Sequence, residues 1–95
     1  MHQPTAAPVS VIKRDGSRVP FEAFRIQSAI QRAGTATAEF GEDEAQLITS
    51  QVLKVLRHRF PQEPPSIEQI QDVVEQALIS ANHFATLRAY AVYRE

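Results

Sequence analysis

Lys13, Arg14 and Arg25, with Arg18 between them, are the residues of this sequence whose types and spacing point most directly to chemistry. Their chemistry is anion binding, with the lysine ammonium a compact point donor and the arginine guanidiniums planar forks. Asp15-Gly16 separates two β-compatible runs, Val9–Arg14 and Ser17–Phe21. An Asp-Gly pair in that setting predicts a β-hairpin with a two-residue turn, because such turns need φ > 0 at their centre. That turn would pair Arg14 with Ser17, Lys13 with Arg18, and Ile12 with Val19. The Ile12/Val19 pair supplies an apolar face, while Lys13 and Arg18 become like charges directly across a ladder, which is destabilising. Arg25 falls in the first turn of the helix that follows, where a cation opposes the helix dipole. Two readings are open. The long side chains splay into water, or they converge near a helix N-terminus as a polyphosphate site and an anion relieves their repulsion.

The remaining constellations exclude more than they suggest. There is no Gly-x-x-x-x-Gly-Lys phosphate loop, and Gly16 in a hairpin turn is no substitute for one. The chain has no cysteine, which excludes a disulfide framework, a zinc ribbon, an iron–sulfur cluster and thiol chemistry within these residues. His2, His58 and His83 lie on separate elements without metal-ligand spacing, so no metal site is expected. No serine and histidine are arranged as a nucleophile–base pair, so no catalytic residue is expected. Glu39, Glu42, Asp43 and Glu44 form an acidic run that stabilises the start of a helix, with a magnesium site as the alternative. Tyr90, Tyr93, Arg88 and Arg94 read as core-edge and surface residues of the last helix, with Arg94 able to help bind an anion.

The elements that must position the cations follow from periodicity. Pro20 ends the second strand or places it at an edge. Ile26, Ala29, Ile30 and Ala33 recur at helical spacing, and Gly34 is a candidate C-cap. Thr35 to Gly41 reads as a loop. A second helix is expected from about Asp43 to Arg59, with Ile48, Val52, Val55 and Leu56 as its stripe and Arg57, His58 and Arg59 in its last turn. Pro61 to Pro65 is a stiff connector. Ser66 with Gln69 then forms a capping box for a third helix carrying Ile67, Ile70, Val74, Ala77, Leu78 and Ala81. Asn82 and His83 interrupt it before a fourth helix, or a bent continuation, from Phe84 to Arg94. The fold class is therefore mainly α or α+β, an N-terminal hairpin capping four helices.

Length and charge bound the function. Ninety-five residues suit one domain, and a formal net charge of -1 creates no global field for nucleic acid or acidic membranes. No apolar run approaches a membrane span. Residues 1–8 carry no signal-peptide pattern and read as a disordered lead-in to a domain at 9–95. A cytoplasmic location fits.

Three stretches in order resemble a known family. Val11-Ile-Lys-Arg-Asp-Gly16, then Val19-Pro-Phe21 and Arg25-Ile26, is similar to the opening of the ATP-cone. Ile67-Glu-Gln-Ile-Gln-Asp-Val-Val-Glu75 resembles its third helix, and Ala89-Tyr-Ala-Val-Tyr-Arg94 its closing stretch. The resemblance implies an allosteric domain that binds ATP or dATP, with magnesium an optional companion, between hairpin and helices. It implies that Lys13, Arg14 and Arg25 hold phosphates, Arg25 standing where the family usually has lysine. It implies that Val11, Ile12, Phe21 and Ile70 enclose the base, with Glu22 and Gln71 as polar contacts to the nucleoside. Val19 departs from relatives that carry an acidic residue there, so either a backbone carbonyl would have to serve adenine or base selectivity is looser. Glu95 stands near a position where some relatives have lysine.

The same resemblance implies a partner, the catalytic body of a parent ribonucleotide reductase of anaerobic or cobalamin-dependent type, with the cone switching activity through oligomers that include other cones. Reductase chemistry needs cysteines, so catalysis would lie beyond Glu95. Two alternatives stand beside this reading. One is the cone of a transcriptional repressor of reductase genes, against which the cysteine-free start counts. The other is a helical protein-interaction module whose basic hairpin meets an acidic partner without any nucleotide.

Overall fold

The computed structural model describes residues 8–94; the expected lead-in, apart from Pro8, and Glu95 lie outside the described residues. Six elements follow in order: β1 (Ser10–Ile12), β2 (Arg18–Pro20), α1 (Ala23–Thr37), α2 (Glu42–Arg59), α3 (Ile67–Ser80) and α4 (Phe84–Arg94). A two-stranded antiparallel hairpin therefore precedes four helices, as the periodicity predicts. α1 packs on α2 and α4, and α3 packs on the same two, so the helices form a closed ring. Ile30 of α1, Ile48, Val52 and Leu56 of α2, Val74 and Leu78 of α3, and Tyr90 of α4 meet in its core, which Val11 of β1 joins from the hairpin. Among the described residues, no helix is long and apolar enough to cross a membrane.

The hairpin register differs from expectation by one residue. Val11 pairs with Val19 and Ile12 with Arg18. The Lys13 N–H donates to the Ser17 carbonyl at 2.8 Å and the Gly16 N–H to the Lys13 carbonyl at 2.9 Å. These bonds close a three-residue loop, Arg14-Asp15-Gly16, in which Gly16 alone has a positive φ, +87°. A type I turn followed by a left-handed glycine spares Asp15 the left-handed conformation that a two-residue turn demands. Asp15 is used instead as an acceptor, taking the Ser17 N–H at 2.9 Å and its hydroxyl at 2.7 Å. Those bonds hold its carboxyl below the usual range.

Because side chains alternate along a strand, the slip re-sorts the faces. Val11 and Val19 form the inward pair, Ile12 and Arg18 the other, and Lys13 does not oppose Arg18. β1 is also gripped on its second edge. The Ile12 N–H donates to the Pro65 carbonyl at 3.0 Å, and Ile12 bridges Ser66 in parallel. The hairpin is thereby fastened to the start of α3, where the Ser66–Gln69 capping box is fully formed.

Gly34 does not cap α1. The helix runs three residues further and ends in a Schellman motif with Ala38 left-handed at φ 61°. There the Ala38 N–H reaches the Thr35 carbonyl and the Glu39 N–H reaches that of Gly34. Asn82, at φ 63°, ends α3 in the same way and separates it from α4. Alanine is an unfavourable occupant of that conformation. Ala38→Gly is expected to stabilise the domain by about 0.5 kcal/mol, the relief of strain being partly offset by a freer unfolded chain, and thermal denaturation checks it.

The acidic run divides between two helices. Glu42, Asp43 and Glu44 occupy the first turn of α2 as expected, with Arg57, His58 and Arg59 in its last. Glu39 instead caps α4, accepting the N–H of Thr86 at 2.9 Å, its hydroxyl at 2.6 Å and the N–H of Ala85 at 3.2 Å. These bonds depress its pKa from 4.5, the Thr86 hydroxyl contributing most. A depressed carboxylate contributes stability that is present above its unfolded pKa and lost as pH falls through its folded one. Melting temperature against pH is therefore expected to fall more steeply below about pH 4.5 in the native sequence than in Glu39→Gln. The variant should be less stable at neutral pH and converge with the native protein in acid.

Candidate functional site

A cleft of about 590 Å³ opens where the hairpin meets the starts of α1 and α3 and the end of α4. That volume lies in the range of small-molecule sites. Three buried residues from three elements form its wall: Val11 of β1, Ile70 of α3 and Tyr90 of α4. Burial pushes the Tyr90 hydroxyl up to about 12, so this wall stays neutral. Val19, Phe21, Ile26, Ala29 and Ile67 extend the apolar lining. Lys13, Glu22, Arg25, Gln71 and Tyr93 supply its polar and aromatic remainder.

Local sequence explains how each group arrives. Lys13 lies two residues beyond Val11, and the alternation of the strand carries it to the cleft side of the hairpin. Glu22 directly precedes α1 and Arg25 lies in its first turn, so the chain leaving Pro20 delivers both to the opening. Ile67, Ile70 and Gln71 sit at i, i+3 and i+4 on the first turns of α3, whose start is held against β1 by the Ile12 bonds. Tyr90 and Tyr93, three residues apart on α4, share one face, with ring centroids 6.0 Å apart.

Two helix N-termini border the cleft, and they differ electrostatically. α3 begins with its own capping box and Glu68 in the first turn. α1 has neither a side-chain cap nor an acidic residue in its first turn. The dipole of that helix end, without a side-chain cap, therefore favours an anion. Arg25 stands at that end, its Nε 2.5 Å from Oε1 of Glu22, and the pairing raises its pKa. Inside the cleft, the Oε1 of Gln71 is buried and receives no protein hydrogen bond. An unpaired buried acceptor is costly, and a ligand N–H or O–H would satisfy it.

Of the residues singled out by sequence, Val11, Lys13, Phe21, Glu22, Arg25, Ile70 and Gln71 line this cleft together. Ile12 and Arg14 are not in its lining. Ile12 faces the other side of the hairpin, beside the connector, and the Arg14 Nε lies 2.9 Å from Glu68. The expected Lys13–Arg18 repulsion is absent, so the anion site rests instead on Lys13 and Arg25 sharing one cleft. Arg94 is tied to α3 through Asp72 at 3.2 Å and Glu75 at 2.9 Å. Sequence reasoning missed Tyr90 and Tyr93 as cleft residues. Their i, i+3 spacing put them on one helix face, but nothing local said which neighbours that face would meet. A shallower depression of about 640 Å³ follows the outer side of α1, from Phe24 to Ala36. It is lined by a single helix and brings no groups together from separate elements, which leaves the hairpin cleft as the candidate site.

Residues 9–95 match the family model described as the ATP cone domain. The chain is 35% identical to the ribonucleoside-diphosphate reductase subunit alpha of Chlamydia muridarum, an alignment covering 92% of this chain and 9% of that protein. It is 37% identical to the vitamin B12-dependent ribonucleoside-diphosphate reductase of Thermoplasma acidophilum, over 90% of this chain and 11% of the relative. It is likewise 37% identical to the anaerobic ribonucleoside-triphosphate reductase of Salmonella typhimurium, over 88% and 11%. The chain thus spans about a tenth of the length of these relatives.

Proposed function

The chain belongs to the ATP cone domain family, a regulatory rather than catalytic domain, and we propose that its hairpin cleft binds ATP and dATP to switch a ribonucleotide reductase. The observation that carries this reading is the joining of two cations, an uncapped helix N-terminus and a buried apolar wall in a single cleft of about 590 Å³. Polyphosphate needs the first two, and a purine needs the third. Lys13 and Arg25 take the phosphates, with magnesium as a companion cation. Arg14 joins them only by leaving Glu68. Val11, Phe21 and Ile70 enclose the base, with Tyr90 and Tyr93 as further walls.

The buried Oε1 of Gln71 accepts a hydrogen bond from the nucleoside. Val19 brings only an apolar side chain, so this unpaired acceptor is a polar contact for adenine's amino group or a ribose hydroxyl. ATP and dATP differ only at the 2′-hydroxyl. A switch requires the two ligands to prefer different packings of the parent, because equal affinity for both states shifts nothing. In this reading the packings are oligomers of the parent reductase, made by the cone with the catalytic body and with other cones.

The test is calorimetry of the folded chain with ATP and dATP. Micromolar binding of both, abolished by reversing the charge at Lys13, is expected. Flat titrations with a folded sample would sink the nucleotide reading and favour a protein-interaction module.

A further inference from the structure

Arg25 carries its own carboxylate. Its Nε meets Oε1 of Glu22 three residues earlier, and both side chains line the cleft. Among the described residues two basic groups of the hairpin are placed differently: Arg14 pairs with Glu68, and Lys13 lines the cleft and forms no salt bridge. Glu22 is also the only acid at the start of α1, whose first turn has none. The carboxylate thus stands beside both an N-terminal dipole and a guanidinium.

A phosphate entering the cleft would satisfy the same dipole and the same guanidinium, so the two anions compete for one place. We propose that Glu22 is a built-in counter-ion that nucleotide displaces, exchanging carboxylate for phosphate on Arg25 and thereby setting how tightly the cleft holds polyphosphate. The inference rests on the nucleotide reading above but assigns Glu22 a different task, competition for the phosphate rather than contact with the nucleoside. The pair is well exposed, at 74% and 42% of its side-chain areas, so solvent screens it and the exchange is gentle. Its function is to set affinity: the cleft's cationic strength is Lys13 plus whatever share of Arg25 the phosphate wins.

Replacing Glu22 with glutamine keeps the shape and removes the charge. Its side chain makes no cap hydrogen bond to α1, so folding should be unchanged, which circular dichroism verifies. Binding of ATP and of inorganic tripolyphosphate is measured by displacement of a fluorescent ATP analogue, in the native background and in Arg25→Gln. Glu22→Gln is expected to tighten both ligands in parallel, by about two- to fivefold, with a smaller gain once Arg25 is gone. Weaker ATP binding with tripolyphosphate unchanged would make Glu22 a nucleoside contact and overturn the exchange. So would no change in either ligand, or an equal gain in both backgrounds. If the folded native chain binds neither ATP nor tripolyphosphate, the nucleotide reading falls and takes the exchange with it. Binding of ATP with no gain in Glu22→Gln removes the exchange alone.

Discussion

Lys13→Glu is expected to weaken ATP and dATP binding at least about 100-fold, and by the same factor for each ligand. Lys13, the residue after β1, lines the cleft and forms no salt bridge among the described residues, so its ammonium is open to a ligand. Reversal removes one charge-assisted contact and places an anion beside the phosphates, so two unfavourable changes act together. The equal effect on ATP and dATP follows from their common triphosphate. The fold should survive, because Lys13 is exposed and its contribution to the hairpin is a backbone bond to Ser17. Arg18→Glu is the matching control. It makes the same charge change on the other face of the hairpin, opposite Ile12, where only screened, longer-range repulsion operates. Calorimetry at moderate ionic strength should find about a twofold loss or less there. Comparable losses in the two variants would mean that nucleotide responds to the hairpin's general field and not to the cleft.

The largest expected effect on stability lies at the opposite end of α1. Gly34 is buried in the helix, and a Cβ built there collides with one edge of the Phe40 ring, far inside van der Waals contact. Phe40 cannot easily yield, because its ring packs against His83 at a centroid distance of 4.6 Å. His83 is held in turn by Glu44 at 3.0 Å. Helix propensity alone would make Gly34→Ala stabilising by about 1 kcal/mol. Overpacking outweighs that gain, and a net loss of about 2 kcal/mol is expected, a fall in melting temperature of roughly 10 °C for a domain of this size. The sign should reverse when the ring is removed. In a Phe40→Ala background, Gly34→Ala should stabilise by about 0.5–1 kcal/mol, since only the propensity remains. Loss of stability in both backgrounds would place the conflict elsewhere than at the ring.

Gly34 also shows how far local sequence reasoning reaches. A glycine at the end of an apolar helical stripe reads as a C-cap, and the residues following it are small and polar. Both signals are real, but the tertiary structure uses the glycine for close approach and ends the helix at Ala38, where a Schellman motif satisfies the last carbonyls despite the side chain. The hairpin is a similar case. Asp-Gly announces a turn correctly, whereas the loop that forms has three residues instead of two, with Asp15 accepting from the Ser17 N–H and hydroxyl. Glu39 was readable as one acid in a run of acids. Its task, capping α4 from 46 and 47 residues away, depends on how the loop folds back and has no local trace.

By itself, then, the order of residues determined the element list, the capping box at Ser66, the apolar stripes that close the helical ring and the ordered motifs of an ATP cone. These are short-range properties, settled by periodicity, turn chemistry and hydrogen bonds a few residues apart. Only the tertiary structure decided which residues share the cleft. A one-residue slip in the hairpin set Val19 across from Val11, on the face that Lys13 shares, and put Ile12 and Arg18 together on the other, because side chains alternate along a strand and register fixes which residues face each other. Bonds from β1 to Pro65 and Ser66 then brought α3, with Ile70 and Gln71, to the hairpin, and ring closure by α4 added Tyr90 and Tyr93. The cations were legible from the first because charge is a property of single residues. Their partnership is a property of register and packing, and it emerged only when strands and helices from opposite ends of the chain met.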